Sequence, residues 1–151
     1  MTKKHKIPYD EFHYMCSELA LKLSVEKIDY IVAPSRGGLL AGTIISHLLN
    51  VPLYPIIWST RDHARSVSYY DIQEDVAEGK TVVFVDDIND SGKTIESFKS
   101  FIYNHPKNNL GKTNKLIVAT VLERHTTSDP SDFKMATVKD DTWIVFPYEK
   151  E

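Results

Sequence analysis

Apolar residues recur along this chain either at helical spacing or in short unbroken runs, and the two patterns alternate from end to end. Phe12, Cys16, Leu19, Ala20 and Leu23 follow Asp10 at helical spacing, which predicts an amphipathic helix over 10–24 with Asp10 as N-cap. "DYIVAP" is a short apolar run closed by Pro34 and predicts a strand. After the turn "SRGG", the stretch "LLAGTIISHLLN" has the length and apolar character of a helix packed on a sheet, and "VPLYPIIW" reads as the next strand. Residues 59–79 are polar, mixed in charge and without clean periodicity, so a long exposed connection is expected there, with 59–72 as a candidate lid. "TVVFVDD" predicts a strand that enters a helix over 91–103, whose apolar face is Ile95, Phe98, Phe101 and Ile102. "HPKNNLGKTN" reads as a loop, "KLIVATVLE" as a strand, and "DTWIVFP" as a last short strand ended by Pro147.

Strands alternating with helices imply an α/β fold: a mostly parallel sheet flanked by helices, with right-handed crossovers and ligands bound beyond the carboxyl ends of the strands. Composition sets the size of that unit. With 151 residues, 42% hydrophobic and 26% charged, the chain is expected to form a single domain over 1–151. The net charge of -3 and the scattered basic residues argue against nucleic acid or an anionic membrane as partner. No apolar run approaches the roughly 20 residues of a membrane helix. Cys16, the one cysteine, excludes an intrachain disulfide and falls on the apolar face of the first helix, so it is expected in the core. "MTKKHKIPYD" is too polar for a secretory signal, which makes a cytoplasmic location the expectation.

The chemistry gathers in "TVVFVDDINDSGKTI", where an apolar strand ends in Asp86 and Asp87, a third acid follows at Asp90, and a small-residue turn runs to Lys93 and Thr94. Free N–H groups at a helix start, with the hydroxyls of Ser91 and Thr94, make a site for a phosphate dianion, and Gly92 lets the backbone approach it closely. The carboxylates suit hydroxyl groups or a divalent cation, so a phosphorylated sugar is the economical ligand. A nucleotide-triphosphate loop of the form G-x-x-x-x-G-K-[ST] is disfavoured because Asp87 stands where that pattern needs its first glycine. The plain alternative is a polar strand-to-helix turn capped by Asp90 or Ser91, which accounts for one acid of the three.

"VVFVDDINDSGKT" resembles the signature of the type I phosphoribosyltransferases that bind 5-phosphoribosyl-1-pyrophosphate (PRPP). "IVAPSRGGLLAG" is similar to the pyrophosphate loop of that family, and "DTWIVFPYE" to the purine-contacting tail of its xanthine-guanine members. The resemblance implies the type I phosphoribosyltransferase fold and places Asp86 and Asp87 on the ribose 2- and 3-hydroxyls, with magnesium held through water at Asp87. It further implies Ser91, Gly92, Lys93 and Thr94 around the 5-phosphate, and Ser35, Arg36 and Gly37 on the pyrophosphate, where a Gly-rich turn with one fixed cation suits a leaving polyanion. Asp90 then lies near N7 of the purine as catalytic base, Trp143 stacks on the ring and the backbone around Ile144 reads its edge. On residue type alone a strand tryptophan belongs in the core.

Two positions depart from the pattern. Counting back from Trp143, the family's lysine for the purine 6-oxygen falls on Arg124 in "VLERH", and a guanidinium is bulkier and planar. Arg61 and Arg65 in the polar stretch are the candidates for closing over pyrophosphate. The implied activity is magnesium-dependent transfer of phosphoribosyl from PRPP to a 6-oxopurine in purine salvage, by a homo-oligomer, dimer or tetramer. The alternatives are a regulator that senses PRPP or nucleotides on the same fold, and a transferase with another acceptor base.

Overall fold

The structure is a computed structural model that describes residues 3–58, 68–109 and 115–150. Its elements in chain order are β1 (Lys4–Lys6), α1 (Tyr9–Leu23), β2 (Tyr30–Pro34), α2 (Leu39–Leu49), β3 (Leu53–Ile56), α3 (Ser68–Ala77), β4 (Thr81–Asn89), α4 (Lys93–Tyr103), β5 (Lys115–Arg124), β6 (Phe133–Val138) and β7 (Trp143–Val145). Five strands form one sheet in the order β3-β2-β4-β5-β6, and every pair in it is parallel. This is the parallel α/β architecture expected from the alternating pattern, with the type I phosphoribosyltransferase topology.

Because side chains alternate across a strand, the apolar runs of β4 and β5 feed two cores at once. Val83, Val85, Ile117, Ala119 and Val121 pack with Phe12, Cys16 and Leu19 of α1 and Ile45 of α2. Val82, Phe84, Leu116 and Val118 point the other way, against Tyr69 and Val76 of α3 and Ile95, Phe98 and Ile102 of α4. Cys16 lies in the first core with no exposed surface, and burial pushes its thiol up to about 12.

Several expectations need correction. Pro8, not Asp10, occupies the N-cap of α1; Asp10 stands in the first turn, where its charge complements the helix dipole. Residues 68–77 of the expected exposed connection form α3, and Tyr69, Ile72, Val76 and Ala77 are buried. Their spacing is helical, but the charged residues between them masked the period. A lid reaching to residue 72 is therefore too long, since Tyr69 and Ile72 anchor the second core. Residues 59–67, with Arg61 and Arg65, lie outside the described residues. α4 starts at Lys93 rather than 91, and β4 runs two residues further than expected, to Asn89.

Two strands were not anticipated. β6 completes one edge of the sheet, and β1 pairs in parallel with β7, Lys4 opposite Trp143 and Lys6 opposite Val145. Thus "DTWIVFP" joins a separate two-stranded sheet rather than the main one. All three residues of β1 are exposed, so its sequence carries no apolar signal.

Candidate active site

The carboxyl ends of β2 and β4 lie side by side, since the two strands pair in parallel from Tyr30 opposite Val82 to Val32 opposite Phe84. β2 runs into the turn 35–38, where Ser35 donates its N–H to the Ile56 carbonyl (2.7 Å) and Gly38 to that of Pro34 (3.0 Å). The Ser35–Arg36 peptide is cis. Ser35 and Arg36 are exposed. Gly37 meets the end of β4 directly: a Cβ there would sit 2.7 Å from Asp87 Oδ2, so a larger residue would have to push that carboxylate aside.

Asp86 is half-buried and Asp87 buried. The Asp87 N–H donates to Asp86 Oδ1 (2.9 Å), the Ile88 N–H donates to Asp87 Oδ1 (2.6 Å), and the Tyr148 hydroxyl donates to Asp87 Oδ2. Burial, then the neighbouring Asp87 charge, holds the Asp86 carboxyl well above the usual carboxylate range. Two crowded carboxylates of this kind favour a cation or hydroxyl donors beside them. That donor set fits magnesium, which takes one or two carboxylates and draws its remaining ligands from phosphates and water. Among the described residues no three metal-ligating side chains cluster.

Beyond β4, Gly92 takes φ +93° at the N-cap of α4 and, having no side chain, makes no cap bond of its own. A helix N-terminus of this kind leaves backbone N–H groups without intrahelical partners, the feature an anion site uses. Ser91 is exposed and its Oγ accepts a long bond from the Lys93 N–H (3.3 Å); Lys93 is exposed and Thr94 half-buried. The turn is held from behind by the loop after β5. Ser128 donates both its N–H and its hydroxyl to the Ser91 carbonyl (2.9 Å each).

That loop is in turn fixed by a polar cluster that the sequence reading missed. Asn89 Nδ2 donates to Glu123 Oε1 (3.0 Å) and to the Asp129 carbonyl (2.8 Å), while its Oδ1 accepts from Thr127 Oγ1 (2.9 Å). Glu123 also accepts from the Ser131 N–H (2.6 Å) and Lys134 Nζ (2.8 Å). Burial opposes the charge on Glu123, but Lys134, Ser131 and Asn89 outweigh it and hold the carboxyl below its ordinary value. Asn89 and Glu123 are each 3% exposed, and the ladder sets them opposite one another on β4 and β5. Two polar residues at the ends of apolar strands are the only sequence signal of this support.

Asp90 is exposed and pairs with Arg124, whose Nε donates to Asp90 Oδ1 (2.6 Å). Arg124 Nη1 donates to the Asp140 carbonyl (2.6 Å) and Nη2 to the Thr142 carbonyl (3.1 Å). With its side chain 14% exposed, Arg124 is no solvated strand-end charge; it ties Asp90 to the segment leading into Trp143. Three of its five N–H groups are engaged in these contacts, which leaves two for a ligand.

Trp143 is 54% exposed, so it does not fill a core. Its backbone N–H donates to the Lys3 carbonyl (2.7 Å), and Ile7 N–H donates to the Val145 carbonyl (2.9 Å). Alternation along the ladder then turns the backbone groups of the intervening Ile144 toward the free edge of the small sheet. Tyr148 was also missed as a site residue. It lines a cavity of about 970 Å³ together with Arg36, Gly37, Thr43 and Asp87.

The 35–38 turn, the Asp86–Asp87 pair and the α4 N-terminus gather at the carboxyl ends of parallel strands, the place where sheets of this kind bind ligands. The chain belongs to the phosphoribosyl transferase domain family, which matches residues 9–150. Enzymes of this family are glycosyltransferases of the pentosyl-transferring class. The chain is 28% identical over 148 residues to a xanthine-guanine phosphoribosyltransferase of Idiomarina loihiensis, covering 95% of this chain and 85% of the relative. It is 29% identical over 153 residues to the enzyme of the same name from Vibrio parahaemolyticus, covering 99% and 91%. The crystal structure of a purine phosphoribosyltransferase from Pyrococcus horikoshii superposes with a TM-score of 0.74 at 25% identity, covering 99% of this chain and 97% of that one.

Proposed function

We propose that this chain is a magnesium-dependent purine phosphoribosyltransferase. It joins guanine, xanthine or hypoxanthine to the phosphoribosyl group of PRPP, releasing pyrophosphate and a nucleoside 5'-monophosphate, in cytoplasmic purine salvage. The observation that carries this reading is the contact between two motifs far apart in sequence: the 35–38 turn closes on Asp87, so a pyrophosphate site and a ribose site share one wall.

Asp86 and Asp87 accept hydrogen bonds from the ribose hydroxyls, and Asp87 would hold magnesium through water. The α4 N-terminus with Ser91, Gly92, Lys93 and Thr94 binds the 5-phosphate. Ser35, Arg36 and Gly37 take the pyrophosphate, and the Arg36 guanidinium offsets charge that grows on the leaving group. Bound magnesium supplies further charge neutralisation on that group. Asp90 accepts the proton at purine N7, and its ion pair with Arg124 aims the carboxylate. Trp143 stacks on the base, the outward backbone groups of Ile144 read its edge, and a free N–H of Arg124 donates to the 6-oxygen. The chain works as a homo-oligomer, dimer or tetramer, which sedimentation would read.

The test is an incubation of the protein with magnesium, PRPP and, in turn, guanine, xanthine, hypoxanthine, adenine and uracil. Nucleoside monophosphate should form with the three 6-oxopurines and poorly or not at all with the other two. Asp90→Asn should lower turnover about 100- to 10,000-fold with little change in PRPP affinity. Product from uracil alone would assign another acceptor; tight nucleotide binding without turnover of any base would favour the regulator.

A further inference from the structure

Asp87 is a buried carboxylate whose two oxygens are both spoken for. Oδ1 accepts from the Ile88 N–H at 2.6 Å, within its own strand. Oδ2 accepts from the hydroxyl of Tyr148, which comes from 61 residues further along the chain. The same Oδ2 is the atom on which Gly37 closes. One oxygen therefore joins the end of β4, the 35–38 turn and the segment after β7.

The placement of Tyr148 is not incidental. Phe146 is 3% exposed and packs edge-on against Phe12 of α1, with ring centres 5.7 Å apart at 82°. The Tyr148 ring stacks on Phe146 with centres 5.7 Å apart and planes within 2°. Between them Pro147 restricts the backbone, the Glu149 N–H donates to the Phe146 carbonyl (3.0 Å), and Glu149 Oε1 accepts from the Phe146 N–H (3.2 Å). A turn closed at both ends and anchored in the core thus delivers one phenol to one carboxylate. Tyr148 also faces the cavity that Arg36 and Thr43 line.

We propose that Tyr148 is a positioning residue for the PRPP side of the site: its hydroxyl sets the Asp87 carboxylate, and through Gly37 the pyrophosphate turn, in the binding geometry. This rests on the phosphoribosyltransferase reading above. Without the hydroxyl, Oδ2 would be left buried without its donor, and the carboxylate would turn or draw a cation or proton out of register with the turn. The purine side is held by other contacts, those of Arg124 and β1, and should not feel the change.

Tyr148→Phe tests this, since it keeps the stacked ring and deletes only the donor. Calorimetric titration with PRPP in the presence of magnesium should show a Kd raised roughly 10-fold or more. The KM for guanine should stay within about twofold of wild type. Tyr148→Ala, which also removes the ring, should do no less. In an Asp87→Asn background the Tyr148→Phe step should change PRPP affinity by less than about threefold, because the carboxylate it serves is gone. If Tyr148→Phe leaves PRPP affinity unchanged while Tyr148→Ala weakens it, the ring merely packs and the inference is overturned. An equal rise for PRPP and guanine also overturns it. Wild-type protein that binds no PRPP would overturn the functional reading itself, an outcome visible before any variant is made.

Discussion

Replacing Arg124 with leucine removes three hydrogen bonds and leaves a side chain of smaller reach, so it separates the two things Arg124 is expected to do. Taken at face value, three bonds to a charged donor at about 1.5 to 3 kcal/mol each would be worth about 4.5 to 9 kcal/mol. That sum is an upper bound, because the Asp90 side chain is 58% exposed and Asp140 is exposed too, so water replaces much of what is lost. Discounted for solvent screening, the structural loss comes to about 1 to 3 kcal/mol. In a chain of this size that lowers the melting temperature by about 2 to 12 °C. The chemical loss is separate. If one of the two remaining N–H groups donates to the purine 6-oxygen, its removal should cut kcat/KM for guanine and hypoxanthine roughly 10- to 150-fold, leaving the KM for PRPP nearly fixed. Arg124→Lys keeps the charge but not the fork, and should fall between wild type and leucine on both readouts. Thermal melts and a competition among the five bases measure the two losses on the same preparations. A variant that melts with wild type would show the clamp on residues 140–142 to be worth nothing. One that keeps wild-type base preference would take Arg124 out of purine recognition and leave it as the support of Asp90 alone.

Three further outcomes follow from the support around the site. Gly92→Ala should destabilise by about 2 to 5 kcal/mol, because the residue sits at φ +93° and its Cβ would meet Ser128 Oγ and Thr127 Oγ1 at 2.7 Å; a lowered urea midpoint and a raised KM for PRPP would show it. Glu123 has a depressed carboxyl, so its stabilising contribution is present above its ordinary value of 4.5 and is lost as pH falls through the folded value. Glu123→Gln should therefore cost about 1 to 3 kcal/mol at neutral pH and flatten the acid limb of the stability profile, and an unchanged acid limb would exclude Glu123 as its source. Cys16, buried and pushed up to about 12, should resist a thiol-disulfide reagent at about pH 8 in the native protein and react fully in guanidinium; rapid native labelling would contradict the packing of α1.

What could be read from the sequence divides along a physical line. β2, β4 and β5 are buried on both faces, so each had to be an unbroken apolar run, and each was legible for that reason. α1 and α4 bury one stripe and expose the rest, and the 3.6-residue period showed it. β1 and β6 sit at edges with exposed or alternating half-exposed faces, where no apolar run is demanded; only the partner strand reveals them. The same division runs through the site. Asp86, Asp87, Asp90 and the small-residue turn are contiguous, and local chemistry alone suggested a sugar phosphate. Their supports come from far along the chain: Glu123 and Ser131 for Asn89, Ser128 for Ser91, Arg124 for Asp90 and Tyr148 for Asp87. A ligand-binding motif must be compact because one small molecule touches all of it, whereas each support needs only one correct donor or acceptor, wherever the fold brings it from. That is why Tyr148, in a segment similar in sequence to a purine-contacting tail, stands instead at the Asp87 carboxylate.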